Sequence, residues 1–464
     1  MSMQANQRDT IAALATPPGR GGIGIVRLSG PEALTITTPL LRGLSGPLVP
    51  ARARFCHLIE PATGEKLDEA IVTYFQAPRS YTGGDVVEIA AHGSPILLEH
   101  LLRLLLARGA RLAEPGEFTE RAFLSGRLDL TQAEAVRDLI DAQTLLGAQV
   151  AAQQLGGALS RRVAPLKAEL IALIAVLEAG IDFAEDDTPV VSDADLYARL
   201  LALRSNLLAL EHSFERGRLL TEGITLAIVG RPNAGKSSLF NRLLDRERAI
   251  VTAEPGTTRD TVQERFSLGG IPVELIDTAG LREAANEAER IGIVKSREAF
   301  ADAGLVLLVL DATAPLNAEE EALLHAAAGR PLLVALNKSD LPGARSATMR
   351  AGVREIVPAI PMLPTSAITG EGIAALRTAM HTLVAGEQSV APDSAMLTNL
   401  RQHTAVSSAQ TAMQAALEAG GNGLPHEMVL LDLYTALRQL DALTGATTPD
   451  DILNLIFSTF CIGK

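Results

Sequence analysis

The spacing of hydrophobic residues changes twice along the chain and divides it into segments of different fold class. Over residues 1–125, Val- and Ile-rich runs bounded by Gly and Pro predict strands, and one longer apolar run predicts a helix. The predicted strands are GGIGIVRLSG, EAIVTYF and DVVEIAAHG, and the predicted helix is SPILLEHLLRLLLARGA. This mixture is typical of an α+β domain.

Residues 126–220 carry apolar side chains at helical spacing, which predicts helices throughout this segment. The same periodicity returns over residues 386–464. One predicted buried face in the first of these segments consists of Leu166, Leu170, Leu173, Ile174 and Leu177.

Between the two helical segments, residues 221–385 alternate short apolar strands with helices. The predicted strands lie in ITLAIVG, VELIDTAG, LVLLVLD, LLVALNKSD and PMLPTSA. This alternation predicts a parallel sheet covered by helices on both faces. The order of the segments indicates that the α/β domain is inserted into one helical domain.

Composition narrows the classes of function. The 464 residues include 41 basic and 54 acidic ones, which gives a net charge of −13. This charge argues against binding of duplex nucleic acid through the electrostatic field of the whole protein, but it does not exclude binding in a local basic groove. The absence of Trp and the 3% aromatic content argue against a platform that stacks single-stranded bases. The sequence shows neither a secretory signal pattern nor an apolar run of membrane-spanning length, so we expect a cytoplasmic protein with no membrane segment.

The strongest motif is GRPNAGKS at residues 230–237, which follows a predicted strand and precedes a predicted helix. Its spacing is that of a P-loop, in which backbone N–H groups and the helix N-terminus hold phosphates. Lys236 would reach the β- and γ-phosphates, and Ser237 would hold Mg²⁺. The alternative is a Gly-rich turn that binds no ligand.

Three later segments specify the nucleotide. Asp277 ends a strand, where it can hold Mg²⁺ through water, and the Gly280 N–H can contact the γ-phosphate. A carboxylate at Asp340 can accept from two donors of guanine, whereas adenine would present an acceptor. With Ser366 and Ala367, these segments resemble the G motifs of translation-factor-like GTPases. The predicted contacts are Asn233, Ala234, Gly235, Lys236, Ser237, Ser238, Asp277, Thr278, Ala279, Gly280, Asn337, Lys338, Asp340, Ser366 and Ala367.

One position departs from the Ras-like pattern, because Leu281 stands where a Gln would orient the attacking water. Either hydrolysis is crippled or another residue positions the water. Glu283, Glu287 and Glu289 are the acidic candidates, and the residues alone favour a solvated helix face for this stretch.

The two cysteines cannot form a disulfide framework, and their spacing fits no zinc pattern. We expect Cys56 to be a small buried hydrophobe. Cys461 stands in the sequence CIGK, which lacks the terminal residue and the basic lead-in of a prenylation motif. The residues alone favour a buried helix-end role for Cys461 as well.

Together, these features resemble the bacterial tRNA-modification GTPase family (MnmE/TrmE). The segments that carry the resemblance are the P-loop between helical flanks, ATPPGRGGIGIVRLSG, YTGGDVVEIAAHG, PGEFTERAFLSGRLDLTQAEA, AGIDFAEDD, GTTRD and CIGK. The resemblance implies a tetrahydrofolate-binding-like α+β domain (residues 1–125) that mediates homodimerisation, a helical domain built from residues 126–220 and 386–464, and an inserted Ras-like P-loop G domain (residues 221–385). It also implies that a tetrahydrofolate derivative, the 5-formyl or methylene form, contacts Arg27, Glu88, Arg127 and Lys464.

For the nucleotide site, the resemblance implies a K⁺ ion in place of an arginine finger, with G domains that dimerise during hydrolysis. Glu289 would orient the water, and Thr258 would be the second Mg²⁺ ligand beside Ser237. The implied K⁺ ligands are Asn233, Thr252, Glu254 and Thr257, within a nucleotide-binding loop of Thr252, Ala253, Glu254, Pro255, Gly256, Thr257 and Thr258.

The implied reaction adds a carboxymethylaminomethyl or aminomethyl group to C5 of the wobble uridine of certain tRNAs. A flavin-dependent partner of the MnmG type, in a heterotetramer, and a tetrahydrofolate one-carbon unit take part. GTP hydrolysis would act as a conformational switch, and Cys461 would be the nucleophile, with a buried structural cysteine as the alternative.

Two competing functions come from other classes. A ribosome-assembly GTPase would share the switch but perform no covalent chemistry, and such proteins usually carry basic RNA-binding domains, unlike this acidic chain. A folate-dependent aminomethyltransferase would use the N-terminal domain but leaves the central G domain unexplained.

Overall fold

The computed structural model describes residues 9–182, 192–244, 265–276, 303–327, 329–386 and 395–463. The chain divides into two compact units. The first unit comprises Met1–Arg137, Ala152–Leu208 and Thr404–Lys464, and the second comprises Asp138–Ala151 and Ala209–His403. Each unit can contain more than one domain, so the four domain bounds given above stay predictions.

A mixed sheet forms the N-terminal part of the first unit, and the described residues supply seven strands in the order β3-β4-β5-β6-β2-β1-β7. All neighbours are antiparallel except β1 and β7. Alternate residues such as Val26, Leu28, Val72 and Ile89 point into one core with helix α2, as the period-two pattern predicts. The elements are β1 (Ile11–Leu14), β2 (Gly21–Ser29), α1 (Ala33–Thr37), β3 (Leu41–Arg42), β4 (Ala53–Ile59), β5 (Lys66–Phe75), β6 (Val86–Gly93), α2 (Pro95–Ala107) and β7 (Arg111–Leu112).

Helices follow, as the periodicity predicts. They are α3 (Glu117–Leu124), α4 (Leu130–Asp141), α5 (Leu145–Leu155), α6 (Ala158–Asp182), α7 (Asp193–Glu211) and α8 (Phe214–Thr221). Of the face predicted on α6, Leu170, Leu173, Ile174 and Leu177 are buried and Leu166 is half-buried.

A break separates α7 from α8, although the apolar spacing runs through both. The Ser213 hydroxyl donates to Leu210 O at 2.5 Å and accepts from the Leu397 N–H at 3.1 Å. A serine side chain that binds nearby backbone in this way competes with the helical ladder, which explains the break.

In the second unit, the described residues supply six strands in the order β13-β12-β11-β8-β10-β9. Helices cover two separate apolar cores on its two faces, as predicted. The five predicted strands pair in parallel, which confirms the predicted parallel sheet, and an unpredicted strand, β9, adds an antiparallel edge beside β10. The elements are β8 (Ile224–Val229), α9 (Lys236–Leu244), β9 (Arg265–Leu268), β10 (Ile271–Ile276), β11 (Leu305–Asp311), α10 (Ala318–Ala327), β12 (Leu332–Asn337), α11 (Ser346–Ile356), β13 (Met362–Pro364) and α12 (Ile373–Ala385).

The turn between β9 and β10 is held by helical residues of the same unit. Thr144 Oγ1 donates to Gly270 O at 2.8 Å, and a β carbon at residue 270 would lie 2.6 Å from Leu146 Cδ2. Close packing of this kind leaves room only for glycine at this position, where φ is +94°.

Three helices complete the described chain: α13 (Leu400–Gly421), α14 (His426–Thr444) and α15 (Asp450–Ser458). Helix α14 packs along α6, where Lys167 Nζ and Asp441 Oδ1 lie 2.5 Å apart. Among the described helices, none combines the length and apolarity needed to cross a bilayer.

Candidate functional site

The loop from β8 to α9 has the backbone geometry of a phosphate cradle. Gly230 has φ +144° and Gly235 has φ +94°, and a β carbon at residue 235 would overlap the Asn337 side-chain amide. Asn233 also adopts a left-handed conformation, with φ +63°. Left-handed residues of this kind are typical of loops whose backbone N–H groups bind anions.

Lys236 is directed back over this loop. Its Nζ donates to Gly230 O at 2.7 Å and to Arg231 O at 2.9 Å. Burial lowers the pKa of the Lys236 ammonium, while nearby Glu319 acts in the opposite direction. Helix α9 begins at Lys236, so its positive end and the exposed Ser237 face the same site.

Asn337 connects three segments that the sequence assigns to the nucleotide. Its Nδ2 donates to Ala234 O at 2.9 Å, and its Oδ1 accepts from the Ala367 N–H at 3.1 Å. Asn337 is 2% exposed, so both bonds are made inside the protein. The structure therefore places Asn337, the first residue of the predicted guanine-recognition segment (residues 337–340), between the phosphate loop and the loop at residues 366–368.

The loop at residues 366–368 is fixed from both sides. Ser366 is buried, and its Oγ accepts from the Thr369 N–H at 3.1 Å. Arg242, on α9, donates from Nε to Ala367 O at 3.1 Å and from Nη2 to Ile368 O at 2.6 Å. The helix that begins at the phosphate loop thus also anchors the third segment.

The described residues include eleven of the predicted nucleotide contacts, and their roles stay predictions: Asn233, Ala234, Gly235, Lys236, Ser237, Ser238, Asn337, Lys338, Asp340, Ser366 and Ala367. Asp340 is exposed at the end of this set. The other predicted contacts lie outside the described residues, and their roles stay predictions: Thr252, Ala253, Glu254, Pro255, Gly256, Thr257, Thr258, Asp277, Thr278, Ala279, Gly280, Glu289 and Lys464.

A second cluster lies on the N-terminal sheet. Arg27 on β2 and Glu88 on β6 are register partners, and both Nε and Nη2 of Arg27 lie 2.8 Å from Glu88 Oε1. The Arg27 guanidinium also stacks near two aromatic rings, 5.9 Å from the centre of Tyr81 and 5.7 Å from that of Phe118. A cation with aromatic neighbours suits a ligand that has a ring system and a carboxylate.

Tyr81 and Phe118 have no assigned role in the sequence analysis, although they stand in the segments YTGGDVVEIAAHG and PGEFTERAFLSGRLDLTQAEA. The sequence feature that could have indicated a role for them is that each is an aromatic residue inside one of these motif segments. Arg127 is exposed and lies beside Gly83, where a β carbon would be 3.7 Å from Arg127 Cδ. The structure thus places Arg127 beside Gly83, which stands two residues after Tyr81 in the chain.

The segment at residues 461–463 reaches the same cluster. Arg27 Nη1 donates to Gly463 O at 3.3 Å, and Ile462 forms a bridge with Pro115. Cys461 follows the end of α15 and is exposed. The exposure of Cys461 contradicts the buried structural role that the residues alone favour.

Cys56 has the opposite environment. It is 1% exposed on β4, and its Sγ lies 3.7 Å from Ala70 O. Burial raises the pKa of the Cys56 thiol to about 11. The predicted role of a small buried hydrophobe is confirmed. Within the described residues, no three His, Cys, Asp or Glu side chains converge as a metal site.

Comparisons with known proteins identify the family of the chain. A family model described as the MnmE helical domain matches residues 130–461, and one described as the N-terminus of the GTP-binding protein TrmE matches residues 10–127. A "tRNA modification GTPase MnmE" from Koribacter versatilis is 57% identical over 99% of this chain and 100% of its own. Proteins of the same name from Moorella thermoacetica and Ligilactobacillus salivarius are 45% and 41% identical over at least 98% of both chains. These matches confirm the resemblance and the predicted fold class.

Proposed function

The chain belongs to the MnmE family of tRNA modification GTPases, and from this premise we propose that it couples GTP hydrolysis to the modification of wobble uridine. The observation that carries the GTPase part is Asn337, whose side chain joins the phosphate loop to the loop at residues 366–368. The sequence carries four nucleotide motifs in the order found in GTPases, and three of them, the phosphate loop, the segment at Asn337 and the loop at residues 366–368, are in contact. This arrangement favours a guanine nucleotide.

The donor set near the phosphate loop fits the proposed ions. Ser237 is exposed at the start of α9 and, with Thr258, would hold Mg²⁺. Asn233 is exposed in a left-handed turn and would hold K⁺ together with Thr252, Glu254 and Thr257. When bound, the two cations would neutralise charge that develops on the phosphates during hydrolysis.

In this chain, Lys236 would bind the β- and γ-phosphates, exchanging its two carbonyl partners for phosphate oxygens. Asp340 would accept from the guanine edge. Glu289 would orient the attacking water in place of the Gln that is missing at Leu281. The Lys236 ammonium keeps its charge in this role because the phosphates stabilise it.

The second site would bind the tetrahydrofolate derivative, which supplies a one-carbon unit when bound. Arg27 and Arg127 would meet its carboxylates, Glu88 would accept from its ring N–H groups, and Lys464 would contribute a further cation. The geometry of Arg27 and Glu88 supports this proposal: they are 17% and 27% exposed, and Arg27 Nε and Nη2 both lie 2.8 Å from Glu88 Oε1.

Cys461 is the proposed nucleophile. Its thiolate would add to the uracil ring and so activate C5. Two features support the proposal: the side chain is exposed, and Gly463, two residues further on, contacts Arg27 through its carbonyl.

A homodimer is part of the proposal, and the open face of the N-terminal sheet supports it. Phe55 on β4 and Ile71 on β5 are 60% and 50% exposed and pair in register, and Ala90 and Ile25 continue the row across β6 and β2. A second copy of the chain would remove this apolar row from water.

Family membership supports the remaining partners, namely tRNA and a flavin-dependent protein of the MnmG type in a heterotetramer. The cytoplasmic location predicted from the sequence belongs to the same proposal.

The proposal is tested by nucleoside mass spectrometry of tRNA from a deletion strain carrying no gene, the wild-type gene or Cys461→Ser. We expect the C5-modified wobble uridine to be lost without the gene and restored by wild type only. Purified Cys461→Ser should hydrolyse GTP at a near-normal rate, because Cys461 belongs to the other compact unit.

Unchanged nucleosides in the deletion strain would overturn the tRNA-modifying function and favour the ribosome-assembly alternative. Full modification by Cys461→Ser would overturn the role of the thiol alone. Failure of the purified wild-type protein to hydrolyse GTP would overturn the GTPase assignment.

A further inference from the structure

Asp311 is a buried carboxylate beside the nucleotide site that belongs to no recognised G motif. It is the last residue of β11 and is 8% exposed. Its Oδ2 accepts from Lys338 Nζ at 2.6 Å, and its Oδ1 accepts from the Thr313 N–H at 3.0 Å and from Thr313 Oγ1 at 2.6 Å. Asp311 is therefore held in one orientation and forms an ion pair with Lys338, which lies in the predicted guanine-recognition segment.

The same carboxylate faces a cation of the phosphate loop. Arg231 Nη2 lies 3.5 Å from Asp311 Oδ2, and Arg231 Nε lies 3.5 Å from Glu320 Oε1. Glu320 is fixed at the start of α10, where it and Asn317 exchange side-chain to backbone hydrogen bonds of 2.8 and 3.2 Å. One carboxylate oxygen thus links the phosphate loop to the guanine-recognition segment.

Lys338 has a backbone conformation that its surroundings must stabilise. Its backbone is left-handed, with φ +62°, a conformation that is unfavourable for a side chain with a β carbon. Burial acts to raise the pKa of Asp311, but hydrogen bonds from Lys338 and Thr313 prevail and lower it to about 2. The carboxylate is charged throughout the physiological range, so the contact with Lys338 is a permanent ion pair.

We propose that Asp311 is a positioning residue for guanine-nucleotide binding, which keeps Lys338 and Arg231, and with them the two loops, in the arrangement that receives base and phosphates together. The inference rests on the proposed GTP site. Because both loops serve parts of the nucleotide that GTP and GDP share, Asp311 contributes equally to the binding of both and little to the hydrolytic step.

The test compares wild type with Asp311→Asn, which keeps the shape of the side chain and removes its charge. Loss of one charge-assisted bond at a buried position is expected to weaken binding of both GDP and GTP by about tenfold. The KM for GTP should rise by a similar factor while kcat changes little, and Asp311→Glu should recover part of the affinity. A merely structural residue would lower the thermal unfolding midpoint without this division between KM and kcat.

Lys338→Met is the second variant, measured alone and combined with Asp311→Asn in a double-mutant cycle. Because the two residues act through one contact, the double variant should bind GDP about as weakly as the weaker single variant. Should Asp311→Asn fail to fold, Lys338→Met and Asp311→Glu still test the contact by GDP affinity.

Glu274→Gln is the matched control. It removes an ion pair, Arg265–Glu274 at 3.0 Å, from the opposite edge of the same sheet, and its GDP affinity should equal that of wild type. Unchanged GDP affinity in Asp311→Asn, or losses that add fully in the double variant, would overturn the inference. Absence of guanine-nucleotide binding by the wild type would instead overturn the proposed function.

Discussion

Two thiols of the same chain differ in their access to solvent. Cys56 is buried on β4 and its pKa is raised to about 11, whereas Cys461 is exposed. The thiolate is the reactive form, and a reagent must also reach the sulfur. Burial therefore protects Cys56 twice, once by closing access and once by keeping the thiol protonated.

We expect iodoacetamide at mildly alkaline pH to modify Cys461 in the native protein and Cys56 only after unfolding. Peptide mass spectrometry identifies which thiol has reacted. Native Cys461→Ser protein should take up no label, and it should take up one label per chain in denaturant. Equal labelling rates of both thiols in the native wild type would contradict the described environments.

How far single residues could be predicted depends on how local their chemistry is. Lys236 and Ser237 could be assigned because one strand, one loop and one helix, adjacent in sequence, bring them together. Asp311 and Tyr81 could not, because their roles arise from contacts with Lys338 and Arg27 that no spacing rule encodes.

At the scale of elements, helix α3 is joined to the N-terminal sheet by a buried ionic network. Glu117, 1% exposed, accepts from Arg111 at 2.7 and 3.0 Å and from Arg121 at 2.8 Å. Asp9 accepts from the same two arginines, each at 2.7 Å. Burial acts to raise the pKa values of both carboxyls, but hydrogen bonds from the arginines prevail and lower them.

A carboxyl whose pKa is lowered by folding stabilises the folded state above its unfolded pKa, and the stabilisation is lost as the pH falls. We therefore expect the thermal unfolding midpoint of the N-terminal domain to fall steeply once the pH drops below the ordinary carboxyl range. Glu117→Gln should lower the free energy of unfolding at neutral pH by about 2 kcal/mol, since it removes the charge-assisted hydrogen bonds of a buried carboxylate and leaves Asp9 as the carboxylate partner of Arg111 and Arg121.

Glu117→Gln should also flatten the acid dependence, because the titrating group has been removed. Neighbouring Glu120 has its pKa raised by burial and responds to pH in the opposite direction, so the comparison is made as the difference between variant and wild type. Parallel pH profiles for the two proteins would contradict the assignment of acid sensitivity to Glu117.

The elements themselves followed from periodicity wherever burial was regular. β11 is buried along its whole length, as expected for a strand covered on both faces. Periodicity did not predict the α7–α8 break, because the hydrogen bond that Ser213 Oγ donates to Leu210 O leaves the hydrophobic spacing unchanged. It also did not predict the edge strand β9, which is only four residues long.

At the scale of the whole molecule, the proposed reaction needs communication, since the nucleotide contacts belong to one compact unit and Arg27 and Cys461 to the other. The β9–β10 turn is one anchored element of the nucleotide-binding unit. Thr144 holds Gly270, and Ile271 packs with Val150, Leu220 and Met396. In the sequence, this hairpin stands between the predicted loop at 252–258 and the predicted Asp277 motif. A conformational change in either segment would therefore act on a hairpin that is held by the contacts of Gly270 and Ile271.

The proposed switch makes hydrolysis depend jointly on K⁺ and on the association of two G domains. Leu281 cannot orient water, and an arginine finger raises GTPase kcat by about 10³–10⁵. A cation held by Asn233 would supply the equivalent charge only when the paired G domains close around it. Replacing K⁺ by Na⁺ at constant ionic strength should therefore lower kcat by at least about tenfold, with GDP affinity unchanged.

The same coupling predicts a concentration effect. In K⁺, the turnover per chain should rise with protein concentration until the G domains are fully paired, and in Na⁺ it should stay flat. Asn233→Ala should behave in K⁺ as wild type does in Na⁺, since the missing ligand and the wrong ion leave the phosphates equally uncompensated. Equal wild-type rates in the two salts would remove K⁺ from the proposed site while leaving the proposed roles of Lys236 and Asn337 in nucleotide binding unaffected.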